Sequence, residues 1–442
     1  MSGITPPSSF APTDLPEGVS FTELNGGLRV ITEAMPSVRS VALGLWVRAG
    51  SRDESPEQAG VSHFLEHLLF KGTERHSAIE ISELFDGMGA STNAATSKES
   101  THLYARLLDE HTEAAFALLA EMLIGPSLPV DEVDSEREVV LEEIAMYEDE
   151  PQDRVHDVLA HAIHGDHPLG RRVLGDASVI GSIPVEQIAA YHRGRYTAPN
   201  LAVAAAGHLE HAEIVELAQR FVVPPTGEPA TRPNGEVEGT PRFAFQAKDT
   251  EQYHICFGGP GIARGDERRF ALSVLDAVFG GSTSSRLFRE VREKRGLAYA
   301  VGSYTEQFIE RGVVAMYVGT REENVREACE IIGAELGNLR DRGVTPAELE
   351  RAKEHVKGRM VLGLEATGMR MTRLARAILF DVPLLSLDEM LMRVEQVTGE
   401  EVAELATELY DPEGLSAACI GPAEERFREA TALVSQALAT AA

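Results

Sequence analysis

The chain has 442 residues, a formal charge of −29, and 43% apolar against 25% charged side chains. That length exceeds one ordinary domain and predicts two of about 200 residues. An acidic balance with no basic stripe excludes a nucleic-acid-binding protein, and no apolar run approaches the roughly 20 residues that span a bilayer.

Residues 1–18 are rich in Pro and Ser, with neither a basic start nor an apolar core, and read as a disordered lead-in. A hairpin is predicted over 19–24 and 28–31, turning at Asn25-Gly26-Gly27. Val41, Leu43, Leu45 and Val47 alternate as a half-buried strand. After the loop 50–57, an apolar run ending at Gly72 reads as a helix carrying His63-Phe64-Leu65-Glu66-His67. At about 100° per residue, His63, Glu66 and His67 share one side, opposite Val61, Phe64, Leu65, Leu68 and Leu69. Two histidines at i and i+4 can hold one zinc ion, and a carboxylate at i+3 then stands beside it. A further helix starts at Ser77, where Glu80 completes a capping box. Strands at 90–96 and 101–107 follow, then helices at about 109–124 and 131–149, the latter stopped by Pro151. A strand at 201–207 and a helix at about 211–222 close this half. Residues 224–240, rich in Pro and Gly, form the predicted linker between domains 19–223 and 241–442.

The second half repeats the pattern. A strand near 253–257 precedes a helix at about 267–279, strands at 298–304 and 313–318, and helices at about 321–341 and 345–369. Thr345-Pro346-Ala347-Glu348 caps the last of these. A strand at 415–421 and a terminal helix complete the copy. Phe70-Lys71-Gly72 aligns with Phe279-Gly280-Gly281 and Glu136-Arg137 with Glu350-Arg351, at offsets of 209 and 214. In that register His63, Glu66 and His67 become Leu272, Leu275 and Asp276, and Glu143 becomes Lys357. The copy cannot bind a metal in this way.

A catalytic zinc needs a third ligand. The helix at 131–149 is strongly acidic, and most of its carboxylates read as a solvated face. Glu136 and Glu143 share one side with Val140 between them, and Glu143 follows His67 by 76 positions. H-F-L-E-H followed at this distance by E-R-E-V-V-L-E-E resembles the pitrilysin (insulinase) superfamily of zinc peptidases. The nearest likeness is to the mitochondrial processing peptidase β subunit and short bacterial homologues. The resemblance runs from about residue 19 to the end of the chain.

It implies that His63, His67 and Glu143 bind one Zn2+ per chain, with Glu66 as the catalytic base. It places Glu136 close to the site as the family's second acidic residue, and such a carboxylate would orient a histidine. Arg292 and Tyr299, in Arg292-Glu293-Lys294-Arg295-Gly296-Leu297-Ala298-Tyr299, resemble the pair that completes the catalytic site in long family members. Ser91, Thr92, Asn93 and Ala94 resemble the edge strand on which these enzymes lay their substrate, and Phe64 is counted with the substrate contacts. Binding there is β-augmentation, the substrate backbone supplying the ladder partner.

The expected fold is α+β: two duplicated domains, each a mainly antiparallel sheet flanked by helices, forming half of a clamshell. The expected function is zinc-dependent hydrolysis of peptides or unfolded segments. A half-length chain is expected to pair as a homodimer, or as a heterodimer with an inactive homologue, around an enclosed chamber. Neither nucleic acid nor membrane is an expected partner. A second metal among His156, His161, His164 and His167 is not expected, since no carboxylate stands at ligand spacing. Three widely separated cysteines, Cys256, Cys329 and Cys419, form no C-x-x-C pair and predict free thiols in a reducing compartment, the cytoplasm. The alternatives are a non-catalytic scaffold or partner subunit of the same fold, and a structural zinc domain that holds peptides without cutting them.

Overall fold

A computed structural model describes residues 15–229, Arg232 and residues 242–441. Residues 1–14 of the expected lead-in, and residues 230, 231 and 233–240 of the expected linker, lie outside the described residues.

In chain order the first half forms β1 (Val19–Glu23), β2 (Arg29–Ala34), β3 (Ser40–Val47), α1 (Val61–Leu68), α2 (Ala78–Gly87), β4 (Ser91–Thr96) and β5 (Thr101–Leu108). It continues with α3 (Thr112–Ile124), α4 (Val130–Asp149), α5 (Pro151–His164), α6 (Ala177–Ile180), α7 (Val185–Arg195), β6 (Leu201–Gly207) and α8 (His211–Phe221). The second half forms β7 (Phe243–Ala247), β8 (Tyr253–Gly261), α9 (Arg269–Phe279), β9 (Ala298–Gln307), β10 (Gly312–Thr320), α10 (Val325–Arg342) and α11 (Pro346–Gly363). Then come α12 (Thr367–Leu379), α13 (Leu387–Gln396), α14 (Gly399–Leu409), β11 (Ser416–Gly421), α15 (Glu424–Thr431) and α16 (Gln436–Thr440).

Two sheets result, ordered β1-β2-β6-β3-β5-β4 and β7-β11-β8-β10-β9. Each has one parallel pair, β2 with β6 and β7 with β11, and is otherwise antiparallel. Apart from the extra β1, the two orders superimpose element on element, which is the duplication expected from the two local alignments. Both capping boxes form: Ser77 N–H donates to Glu80 Oε2 at 2.8 Å and Thr345 N–H to Glu348 Oε2 at 2.8 Å.

The described residues divide into two compact units that are not contiguous in sequence. Unit 1 holds the described residues among 1–145, 171–234 and 362–386; unit 2 holds those among 146–170, 235–361 and 387–442. Where the sequence reading has two unbroken domains, each unit therefore contains a helix from the other half. In unit 1, Val41, Leu43, Leu45 and Val47 of β3 face a core shared with Phe64, Leu65, Leu68, Phe85 and Phe116. α12 covers the opposite face of the sheet, along β2, β3 and β6. Consequently β3 is buried on both faces rather than half-buried. A single predicted helix at 345–369 breaks instead after Gly363, and Ala366 takes an extended conformation before α12 begins. In unit 2, α5 plays the corresponding part, and Val155, Leu159 and Ile163 pack with Cys256, Ala315, Ala418 and Ile420 of the second sheet.

Two ends of α12 are held by ion pairs within unit 1: Arg370 meets Glu33, and Asp381 just beyond the helix takes Arg29 at 2.8 Å. The three cysteines are free and buried. Among the described residues no helix is long and apolar enough to cross a membrane.

Candidate metal centre

The centre is built where α1 and α4 of unit 1 meet. α1 is short, eight residues, and one side of it is committed to the core: Val61, Phe64, Leu65 and Leu68 are fully buried. That fixes the roll of the helix and turns His63, Glu66 and His67 to the other side. Phe64, expected among the substrate contacts, is on the core side with no exposed surface, the Arg137 guanidinium 5.4 Å from its ring centre. Its place on the apolar stripe decides this, and it is not available to a substrate.

The start of α1 is secured from outside the helix. Its N-cap is Gly60, at φ +96, which has no side chain to offer the first amides. The carboxylate of Glu54 takes that role, accepting from Gly60 N–H and Ser62 N–H, both at 2.8 Å. Burial pushes the pKa of Glu54 up to about 8, against the two backbone hydrogen bonds. The sequence reading missed Glu54; a glycine at the N-cap, with an acid six residues earlier, was the available signal.

α4 presents Glu136 and Glu143 on one side with Val140 buried between them. As α1 advances from His63 to His67, its partners on α4 step back from Glu143 to Glu136, so the two helices run antiparallel. His63 Nε2, His67 Nε2 and Glu143 Oε2 form a triangle with sides of 3.3, 3.4 and 3.6 Å. They are the one His/Cys/Asp/Glu group with metal-holding spacing among the described residues. A tetrahedral zinc with N and O donors at about 2.0–2.1 Å has donor–donor edges of about 3.3–3.4 Å. The donor set and its spacing fit that ion.

Glu136 is almost fully buried, and its Oε1 lies 2.8 Å from His67 Nδ1. Nδ1–H then donates to the carboxylate, which leaves the Nε2 lone pair facing the triangle. The protonation energetics differ between the two histidines. His63 is pushed down to about 4, by burial first and by neighbouring His67 second. Burial acts downward on His67 as well, but the hydrogen bonds to Glu143 and Glu136 outweigh it and hold its pKa above the ordinary value. When both ring nitrogens of His67 carry protons, Nε2–H donates to Glu143 and holds that carboxylate below the usual range despite partial burial. Burial raises Glu66, whose Oε2 is buried and has no hydrogen-bond partner in the protein. A carboxylate with an unused oxygen and a raised pKa, beside the donor triangle, is suited to taking a proton.

β4 is an edge strand of the first sheet, beside α1, and Thr96 Oγ1 donates to Ser62 O at 3.4 Å. Ser91 and Asn93 are exposed and Thr92 is half-buried, while the Ala94 side chain points into the core. Ala94 N–H takes its own neighbour, Asn93 Oδ1, at 2.9 Å, and so points away from β5 into the open edge. Arg292 and Tyr299 belong to unit 2 and are in contact with each other. The Arg292 guanidinium lies 4.2 Å from the Tyr299 ring centre, and its Nη1 donates to Tyr299 O at 3.0 Å. Tyr299 is 78% exposed, unusual for an aromatic residue. In the internal copy, Leu272 and Leu275 are buried and Asp276 accepts from Ser303 Oγ at 2.6 Å, so α9 carries no donor triangle.

A duplicated α+β frame with two histidines and a glutamate on facing helices, and a second glutamate at i+3, defines a metallopeptidase-like centre. Residues 29–177 match the family described as Insulinase (Peptidase family M16), and residues 182–356 match the Peptidase M16 inactive domain. The chain belongs to peptidase family M16. An uncharacterized zinc protease of Streptomyces coelicolor is 42% identical over 414 residues, covering 92% of this chain and 90% of its own length. One of Bacillus subtilis is 40% identical over 402 residues, covering 90% and 96%. Among solved structures, a protease from Helicobacter pylori matches at a TM-score of 0.85 and 22% identity, over 91% of this chain and 99% of that one. A peptidase M16 inactive domain from Pseudomonas fluorescens matches at 0.83 and 23% identity, over 92% and 98%. At those identities the two structures speak for the fold.

Proposed function

We propose that the protein is a zinc-dependent endopeptidase acting on peptides or unfolded segments. The observation that carries this is the donor triangle of His63, His67 and Glu143, with edges of zinc dimensions, beside the unpaired oxygen of Glu66. The names of its relatives, zinc proteases, agree with it. Zinc held there supplies a Lewis acid that acidifies water and polarises a scissile carbonyl. Glu66 removes the proton of the attacking water and delivers it to the leaving amine. Glu136 holds His67 in the tautomer that presents Nε2.

The substrate lies as an added strand along β4, taking its ladder bonds from the open edge, so that side-chain pockets rather than backbone contacts set selectivity. Arg292 and Tyr299 of a second chain bind the substrate backbone and stabilise the oxyanion. The working unit is then a homodimer enclosing a chamber that admits peptides and excludes folded proteins. A scaffold subunit without activity would have no use for a complete set of His63, Glu66, His67 and Glu143.

A quenched peptide assayed on size-separated dimer and monomer, with and without a chelator, tests this. Cleavage confined to the dimer, lost on chelation and restored by zinc, is the expected result. Cleavage that survives zinc removal would refute the metal role, and a fully active monomer would refute the shared site.

A further inference from the structure

We propose that Lys71 is a positioning residue of the metal centre: its ammonium holds Glu136 in the pose that keeps His67 Nε2 aimed at the metal. The inference rests on the zinc reading above.

His63, His67 and Lys71 are spaced four apart, so they form one row along α1 and the turn that continues it. Phe70 N–H donates to His67 O at 3.2 Å and Lys71 N–H to Leu68 O at 3.1 Å, which carries a helical turn to Lys71, three residues past the last helical residue, Leu68. Gly72, at φ +117, then turns the chain away. The row therefore ends on Lys71, and its side chain reaches the same face of α4 as the histidines do. There the ammonium contacts Glu136 Oε2, while Oε1 of the same carboxylate is 2.8 Å from His67 Nδ1. The Glu136 side chain is only 6% exposed, so each oxygen has to be satisfied from within the protein. With both oxygens engaged the carboxylate cannot swing, and the imidazole it holds cannot turn Nε2 off the triangle. Remove the ammonium and Oε2 is left without a partner, free to reorient toward solvent.

The internal copy separates this role from a general strut between two helices. Its counterpart of Glu136 is Glu350, which is kept, while Lys71 is replaced by Gly280 and His67 by Asp276. The lysine has gone with the histidines, not with the glutamate.

The test is the zinc dissociation constant, read by competition with a chromophoric chelator, on full-length protein. It compares wild type, Lys71→Met, Lys71→Gln, Lys71→Arg, Glu136→Ala and Lys71→Met combined with Glu136→Ala, with melting of each metal-free form as the check on folding. Both charge-free variants are expected to bind zinc about tenfold more weakly, as loss of an outer partner of a metal ligand does. Lys71→Arg is expected to restore most of the affinity. In the Glu136→Ala background Lys71→Met should change nothing, because there is no carboxylate left to hold. Wild-type affinity in the charge-free variants, or the same tenfold loss with and without Glu136, would overturn the proposal. A wild-type protein that binds no zinc would instead bring down the zinc reading itself.

Discussion

At the scale of single residues, the candidate metal centre is supported by two buried acids, Glu54 and Glu136. Glu54 is the extreme case, a buried acid whose two oxygens cap the helix that carries both histidines. Its pKa rises from an ordinary 4.5 to about 8 because burial penalises the charged form. A raised pKa gives a contribution to stability that is complete below the unfolded value and is lost as pH climbs through the folded one. Wild type is therefore expected to lose stability relative to Glu54→Gln between pH 5 and pH 8, by on the order of a few kcal/mol in full. Thermal unfolding of the pair at several pH values reads this, and a gap that stays constant or widens with pH would contradict it. That His63, Glu66 and His67 share one face is legible from helical periodicity, which needs no tertiary information. Glu143, on another helix, is reached only through the family resemblance, and the fold brings it to the two histidines. Glu54 and Lys71 were not singled out, since their meaning depends on which backbone amides and which carboxylate they meet.

At the scale of elements, α1 and α4 build the candidate centre, and β4 is the edge strand beside it along which a peptide is proposed to lie. Ala94 N–H faces the open edge, so replacing Ala94 with Pro removes a donor offered to an incoming strand without removing a bond to β5. One lost hydrogen bond of about 1 kcal/mol corresponds to roughly a fivefold drop in kcat/KM for a peptide, with zinc content unchanged. Wild-type kinetics in Ala94→Pro would mean that the substrate does not pair there. The strands and caps of this region could be read from local signals: alternation in β3, the Ser77 and Thr345 capping boxes, Gly26-Gly27 between β1 and β2. What local signals could not show is the second face of β3. Ala42, Gly44 and Trp46 are covered by a helix more than three hundred residues away, and Gly44 leaves room for Met371, whose sulfur stands 3.0 Å from where a Cβ would be. Phe64, counted with the substrate contacts, sits on the apolar stripe of α1 and has no exposed surface.

At the scale of the whole molecule, the duplication is not two beads on a string. Each sheet is closed on its second face by a helix from the other half, α12 on the first and α5 on the second. Residues 1–229 alone would leave the α12 face of β2, β3 and β6 open to water, and burying such a face is what stabilises a sheet of this kind. That fragment is expected to show no cooperative melt by circular dichroism, and appending residues 362–386 through a flexible linker is expected to restore one. Cooperative unfolding of 1–229 by itself would contradict the exchange. The proposed catalytic role of the first unit's metal site is tested by Glu66→Gln. Metal analysis and peptide cleavage are measured on the same preparation beside wild type. One zinc per chain is expected in both proteins, with cleavage lower by about 10²–10⁴-fold in Glu66→Gln. Zinc bound in both, with Glu66→Gln cleaving like wild type, would contradict that role.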